Sequence, residues 1–235
     1  MKHRKTAPLS ESLDRRLHWY AVAAMSSGIG LAALAQPAAA EIVYTPANTP
    51  IPQPPGYFEP GLIHIDLNHD GAVDFTLINT LRGGSCSPGL CSVYGSLFIN
   101  PQSYNSIAVS NRGYAADLPV GVEVAPKNRL NRGPKIMIRG YCRLNNQTSY
   151  VAGPWIDVQN RYLGVKFAIN GENHYGWIRL TVESKPFCGV AERTLTGYAY
   201  ETVANKPITT GTTPVATPSS DIGSLGQLAR GATAK

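Results

Sequence analysis

At 235 residues, with 43% apolar and 15% charged side chains, the chain has room for one ordinary domain plus processed or uncompacted ends, and wholesale disorder is excluded. The formal charge of +6 is thinly spread: residues 1–40 hold five basic and two acidic side chains, which leaves a net +3 on the remainder. No basic stripe with interleaved aromatics emerges, so the sequence lends no support to nucleic-acid binding.

Residues 1–40 read as a signal peptide for export. A basic region ends at Arg15-Arg16, an uncharged run follows from Trp19 to Ala35, and Pro37-Ala38-Ala39-Ala40 places small residues before a cleavage at Glu41. The rival is an uncut membrane anchor. The run is shorter than the roughly 20 residues a span needs and contains Ser26-Ser27-Gly28. The flanks of the arginine pair, Asp14 and Leu17-His18, fit a twin-arginine signal poorly, which leaves general secretion.

The exported part opens with a short strand at Ile42 to Thr45, and residues 46–60 are proline-rich and extended. From Gly61, period-2 alternation runs up to Asp66 and resumes from Ala72 to Leu77, which places residues 66–74 at the tip of a β-hairpin. Further strands are expected at Ser96–Asn100, Ser106–Val109, Val120–Val124 and Ile136–Tyr141. Tyr162–Ile169 then leads through Asn170-Gly171, the favoured pair for a type I′ turn, into His174–Val182, and Leu195–Val203 supplies one more strand. No amphipathic helix longer than two turns is evident. Many short strands with 23 glycines and 18 prolines to turn them predict an all-β protein, an antiparallel β-sandwich or jelly-roll-like single domain over residues 41–208. From Thr209 to Lys235 the composition changes to that of a disordered linker, with a brief apolar pattern at Leu225 and Leu228 that is too short to span a bilayer.

Four cysteines remain in the exported part, Cys86, Cys91, Cys142 and Cys188. An even count outside the cytoplasm reads as disulfides. Cys86-Ser-Pro-Gly-Leu-Cys91 encloses a turn able to join its own ends, which leaves Cys142 for Cys188. Two other pairings and a four-cysteine zinc site are the alternatives.

The densest chemistry lies in Asp66-Leu-Asn68-His-Asp70-Gly71-Ala72-Val-Asp74. Oxygen-bearing side chains at relative positions 1, 3, 5 and 9 with glycine at 6 match the calcium loop of an EF-hand, where alternate residues face one cation. The expected ligands for Ca2+ are the side chains of Asp66, Asn68 and Asp70, the Ala72 carbonyl, and Asp74 directly or through water. Position 12 holds Leu77 in place of a bidentate glutamate, so a complete EF-hand is excluded. The rival is an Asx-rich turn in which these side chains cap backbone donors. His64, His69 and His174 have no spacing that demands a zinc site.

Two further features bear on function. Tyr175 with Trp177, and Tyr198 with Tyr200, each share one face of a strand, either as a platform for stacking on sugar rings or as core. Glu172, Glu201 and Asp157 are acids from which a glycoside-hydrolase pair could be drawn, with Arg179 available to pair Glu201. No Gly-x-Ser-x-Gly elbow, His-Glu-x-x-His helix or phosphate loop is present.

The segments EIVYTPAN, DLNHDGAVDF, RYLGVKFAINGENHYGWIRLTV and LTGYAYETVANKPI resemble those of a group of exported bacterial proteins of acidobacterial type, similar in style to PEP-CTERM-sorted proteins. The resemblance implies an all-β secreted or surface-associated protein and brings no activity with it. The tail SLGQLARGA lacks the Pro-Glu-Pro motif, the full apolar span and the closing basic cluster of a sorting signal. The sequence thus leads to an exported structural or binding module with a calcium loop, partnered by polysaccharide or cell-surface components. Its alternatives are a carbohydrate-active hydrolase and a non-catalytic sugar-binding module.

Overall fold

The computed structural model describes residues 41–87, 90–143, 148–183 and 192–214. The expected signal peptide, Cys188 and all but the start of the expected tail lie outside the described residues.

The chain begins with β1 (Ile42–Pro50), then pairs β2 (Gly61–Ile65) with β3 (Phe75–Ser87) and β4 (Leu90–Pro101) in a meander. Three short strands follow, β5 (Ser106–Ala108), β6 (Glu123–Val124) and β7 (Leu130–Asn131). A hairpin of β8 (Lys135–Arg143) and β9 (Thr148–Ala152) comes next. A second meander holds β10 (Val158–Ile169), β11 (Glu172–Glu183) and β12 (Glu192–Glu201), and β13 (Ile208–Thr209) closes the series.

The strands form a six-stranded sheet in the order β1-β12-β11-β10-β5-β7, a five-stranded sheet β2-β3-β4-β8-β9 and a small pair β13-β6. All pairings are antiparallel, and no helix occurs among the described residues. The protein is all-β, as expected. Leu77, Leu97 and Ile99 of the smaller sheet share one apolar core with Leu163, Phe167 and Ile178 of the larger, a sandwich-like arrangement.

Local chemistry explains the elements. The expected hairpin at residues 66–74 is present, with Ile65 opposite Phe75 where the loop begins. Asn170 (φ 51°) and Gly171 (φ 85°) both lie in the left-handed region that a type I′ turn requires. β1 runs on to Pro50, past the strand expected at residues 42–45. It tolerates Pro46 and Pro50 because it is an edge strand with one side free of ladder bonds. The strand expected at Val120–Val124 shrinks to two residues, since Gly121 (φ 86°) bends the chain just before it.

One feature departs from an ordinary sandwich. The outer face of the larger sheet is also covered, because Val124 of β6 and Ile208 of β13 pack with Tyr162, Tyr175, Trp177 and Ala199 in a second apolar cluster.

Candidate functional site: the hairpin loop of residues 66–74

The loop is held from below by its own apolar residue. Leu67 is fully buried in the shared core, and its Cδ2 lies 3.0 Å from where a Cβ on Gly176 of β11 would stand. The hairpin tip of one sheet is thereby seated on the other.

Above that anchor, the acidic residues organise the backbone. Asp66 accepts hydrogen bonds from the Asp70 and Gly71 amides at 3.2 and 2.7 Å. Asp70 accepts from the Ala72 amide at 2.8 Å and from the Asn68 side-chain nitrogen at 2.9 Å. His69 (φ 60°) and Gly71 (φ 88°) supply the left-handed bends. The bonds from the Ala72 amide, foremost, and from Asn68 hold the Asp70 carboxyl below its ordinary range.

Asp74 is different. It is buried, accepts from the Leu67 amide at 2.9 Å, and accepts from Asn105 Nδ2 at 3.0 Å. Burial pushes its carboxyl above the ordinary range, against those two hydrogen bonds, and the charges of Asp70 and Asp66 push the same way. Asn105 in turn accepts from the Ala168 amide of β10, so a polar chain runs from the loop to the larger sheet. Sequence reasoning missed Asn105, because nothing local to it signals a partner 31 residues earlier.

Asn68 Oδ1 is buried and accepts no hydrogen bond from the described residues. It is the loop's only oxygen among the buried, unpartnered side-chain atoms of the described residues. Among those residues no group of three or more His, Cys, Asp or Glu side chains is gathered to hold a metal ion. The loop instead brings together Asp66, Asn68 and Asp70, with Asp74 turned inward onto its two donors.

The chain matches no family model, no curated protein and no solved structure.

The aromatic pairs resolve into core. Tyr175 and Trp177 are 3% and 0% exposed beneath β6 and β13, whereas Tyr198 and Tyr200 are half-buried and pack on the shared core. The register Gly176↔Tyr200 and Ile178↔Tyr198 places the two pairs on opposite faces of one sheet. The four residues therefore share no single face, and of the two readings their burial favours core.

The candidate acids are similarly dispersed. Glu201 is buried, paired with Lys206 at 2.9 Å and accepting from the Val203 amide. Arg179 does not pair it but donates to Thr196 and to the Tyr44 hydroxyl. Asp157 and Glu172 flank opposite ends of the β10–β11 hairpin. Of the histidines, His64 faces Thr76, His69 faces Thr45, and His174 is buried against the Glu201 carbonyl.

Cys86 and Cys91 are register partners near the end of the β3–β4 hairpin, and their side chains lie outside the described set. Cys142 is buried on β8, and no described cysteine is a free thiol.

Proposed function

We propose that the protein is an exported surface or extracellular structural and binding module whose hairpin loop takes a calcium ion. Asp66, Asn68 and Asp70 would supply side-chain oxygens, Ala72 its carbonyl, and Asp74 an oxygen directly or through water. The observation that carries this is the buried, unpartnered Oδ1 of Asn68, set between two acidic residues whose other bonds already fix the loop. A hard cation would supply that oxygen's missing partner and offset the repulsion that Asp74 feels from Asp66 and Asp70. Because the loop rests on both sheets, the ion's role would be structural, pinning the hairpin tip to the β11 side of the sandwich. Export is supported by the signal-like residues 1–40 and by the resemblance to exported bacterial proteins.

The experiment is a thermal melt in millimolar calcium and in chelator. With a dissociation constant of about 1 mM, typical of extracellular modules, 10 mM calcium stabilises by about 1.4 kcal/mol and raises Tm by roughly 3–6 °C. Asp70→Ala should abolish that shift. An unchanged melting temperature in the parent chain would sink the calcium proposal.

A further inference from the structure

The outer face of the five-stranded sheet carries a row of tyrosines. Tyr94 of β4 is the register partner of Tyr141 of β8, which is the register partner of Tyr150 of β9. Residues directly opposite one another across antiparallel strands share a face, so the three side chains stand in a row on one face. The rings of Tyr94 and Tyr141 are 4.9 Å apart and tilted by 45°. The face is the solvent side, because Val93 and Gly95 on either side of Tyr94 are buried, while Tyr94 and Tyr150 are 49% and 51% exposed.

Cations frame this row. Arg82 of β3 is the register partner of Tyr94, and Arg139 and Arg143 sit two residues before and after Tyr141 on β8, so all three share its face. All three are exposed. The five strands of this sheet contain no aspartate or glutamate, whereas the larger sheet's strands carry Glu172, Glu183, Glu192 and Glu201. Solvated sheet faces are normally mixed and polar, and a contiguous aromatic patch with charge of one sign marks a binding surface. At the β9 edge, Tyr150 also lines a groove of about 520 Å³ together with Arg112 and Tyr114.

We propose that this face binds an acidic polysaccharide, with its sugar rings stacked on the tyrosines and its carboxylates met by the arginines. The three side chains spring from adjacent strands about 4.8 Å apart, so a polymer lying across the strands meets one tyrosine per strand. Arginine forks suit carboxylate bidentately. Single-stranded nucleic acid would use the same contacts, but it calls for a longer basic track than three arginines on a chain whose residues 41–235 carry only +3. The proposal rests on the binding-module reading and is independent of calcium.

The test is affinity electrophoresis of the full chain through gels containing polygalacturonate or neutral dextran, run in chelator so that calcium crosslinking plays no part. Polygalacturonate should retard the chain and dextran should not. Tyr94→Ala with Tyr150→Ala should weaken binding about tenfold or more, and the Phe pair at the same positions should retain it. Arg139→Gln with Arg143→Gln should flatten the salt dependence. Equal melting temperatures of the alanine and phenylalanine pairs show that the loss is local. No retardation, equal retardation by dextran, or unaltered binding by the alanine pair overturns the proposal. Displacement of polygalacturonate by lower concentrations of oligo-dT overturns it in favour of a nucleic-acid surface. The calcium melt is run without polysaccharide, so either proposal can fail alone.

Discussion

Arg193 of β12 donates a hydrogen bond through its guanidinium to the side-chain oxygen of Asn79 of β3, across the interior between the two sheets. Both residues are buried, at 4% and 2% exposure. Asn79 donates in turn to the Pro52 carbonyl at 2.9 Å, and the Ile51 amide donates to the Arg193 carbonyl at 2.7 Å. The proline-rich strap after β1 is thereby fastened to both sheets. Burial pushes the Arg193 guanidinium down to about 10, which leaves it charged at neutral pH.

A buried charge that loses a partner is expensive. Asn79→Ala should destabilise the fold by about 3 kcal/mol, whereas Asn79→Leu combined with Arg193→Met should cost less, because no charge is then left in the core. Urea unfolding of both variants and of each single change gives the coupling directly. A double variant worse than Asn79→Ala would refute this account of the pair.

Asp74 should give stability a pH dependence of unusual sign. Its carboxyl is raised above the ordinary value of 3.8 in the fold. Its contribution is therefore fully present below 3.8 and is lost as pH rises through the raised value. In chelator, the stability of the parent chain relative to Asp74→Asn should fall with rising pH across that window. Asp74→Ala should cost about 1–3 kcal/mol at low pH, since it leaves the buried Leu67 amide without an acceptor, and less as pH rises through the raised value. Urea midpoints from pH 3 upward, taken at ~0.5-unit steps, check both.

Gly176 of the larger sheet lies directly against Leu67 of the loop. A Cβ there would stand 2.6 Å from the Ala199 carbonyl oxygen and 3.0 Å from Leu67 Cδ2. Gly176→Ala should cost about 1–3 kcal/mol, and by displacing Leu67 it should weaken the calcium-induced melting shift as well. Gly71→Ala meets no atom within 4 Å but sits at φ 88°, so its cost of about 1–2 kcal/mol is backbone strain alone. Paired thermal melts separate the two causes.

A non-reduced peptide map should join Cys86 to Cys91 and Cys142 to Cys188. Replacing the second pair by alanine should cost about 3–4 kcal/mol, more than replacing the first, because it closes the longer loop. Free thiols at Cys142 and Cys188 would contradict the pairing.

Local chemistry was legible wherever it acts over a few residues. The Asp66–Asp74 spacing, the hairpin around it and the Asn170-Gly171 turn all follow from backbone geometry that neighbouring residues impose. The antiparallel all-β class follows from period-2 alternation punctuated by glycine and proline. That alternation says that a strand has two faces, but it does not say which face meets water. Tyr175 and Trp177 are core because β6 and β13, distant in sequence, lie over them. Tyr94 and Tyr150 are exposed and Tyr141 is half-buried, because none of the described residues lies over their sheet as β6 and β13 lie over the other. Each of those tyrosines is unremarkable in its own strand, and only the register of three strands aligns them into a row. Asn105 and Arg193 were likewise invisible, since each finds its partner across the sandwich. Each short segment's own residues dictate what it does with its hydrogen bonds, whereas which side chains meet depends on contacts between distant strands, because those contacts set register and coverage.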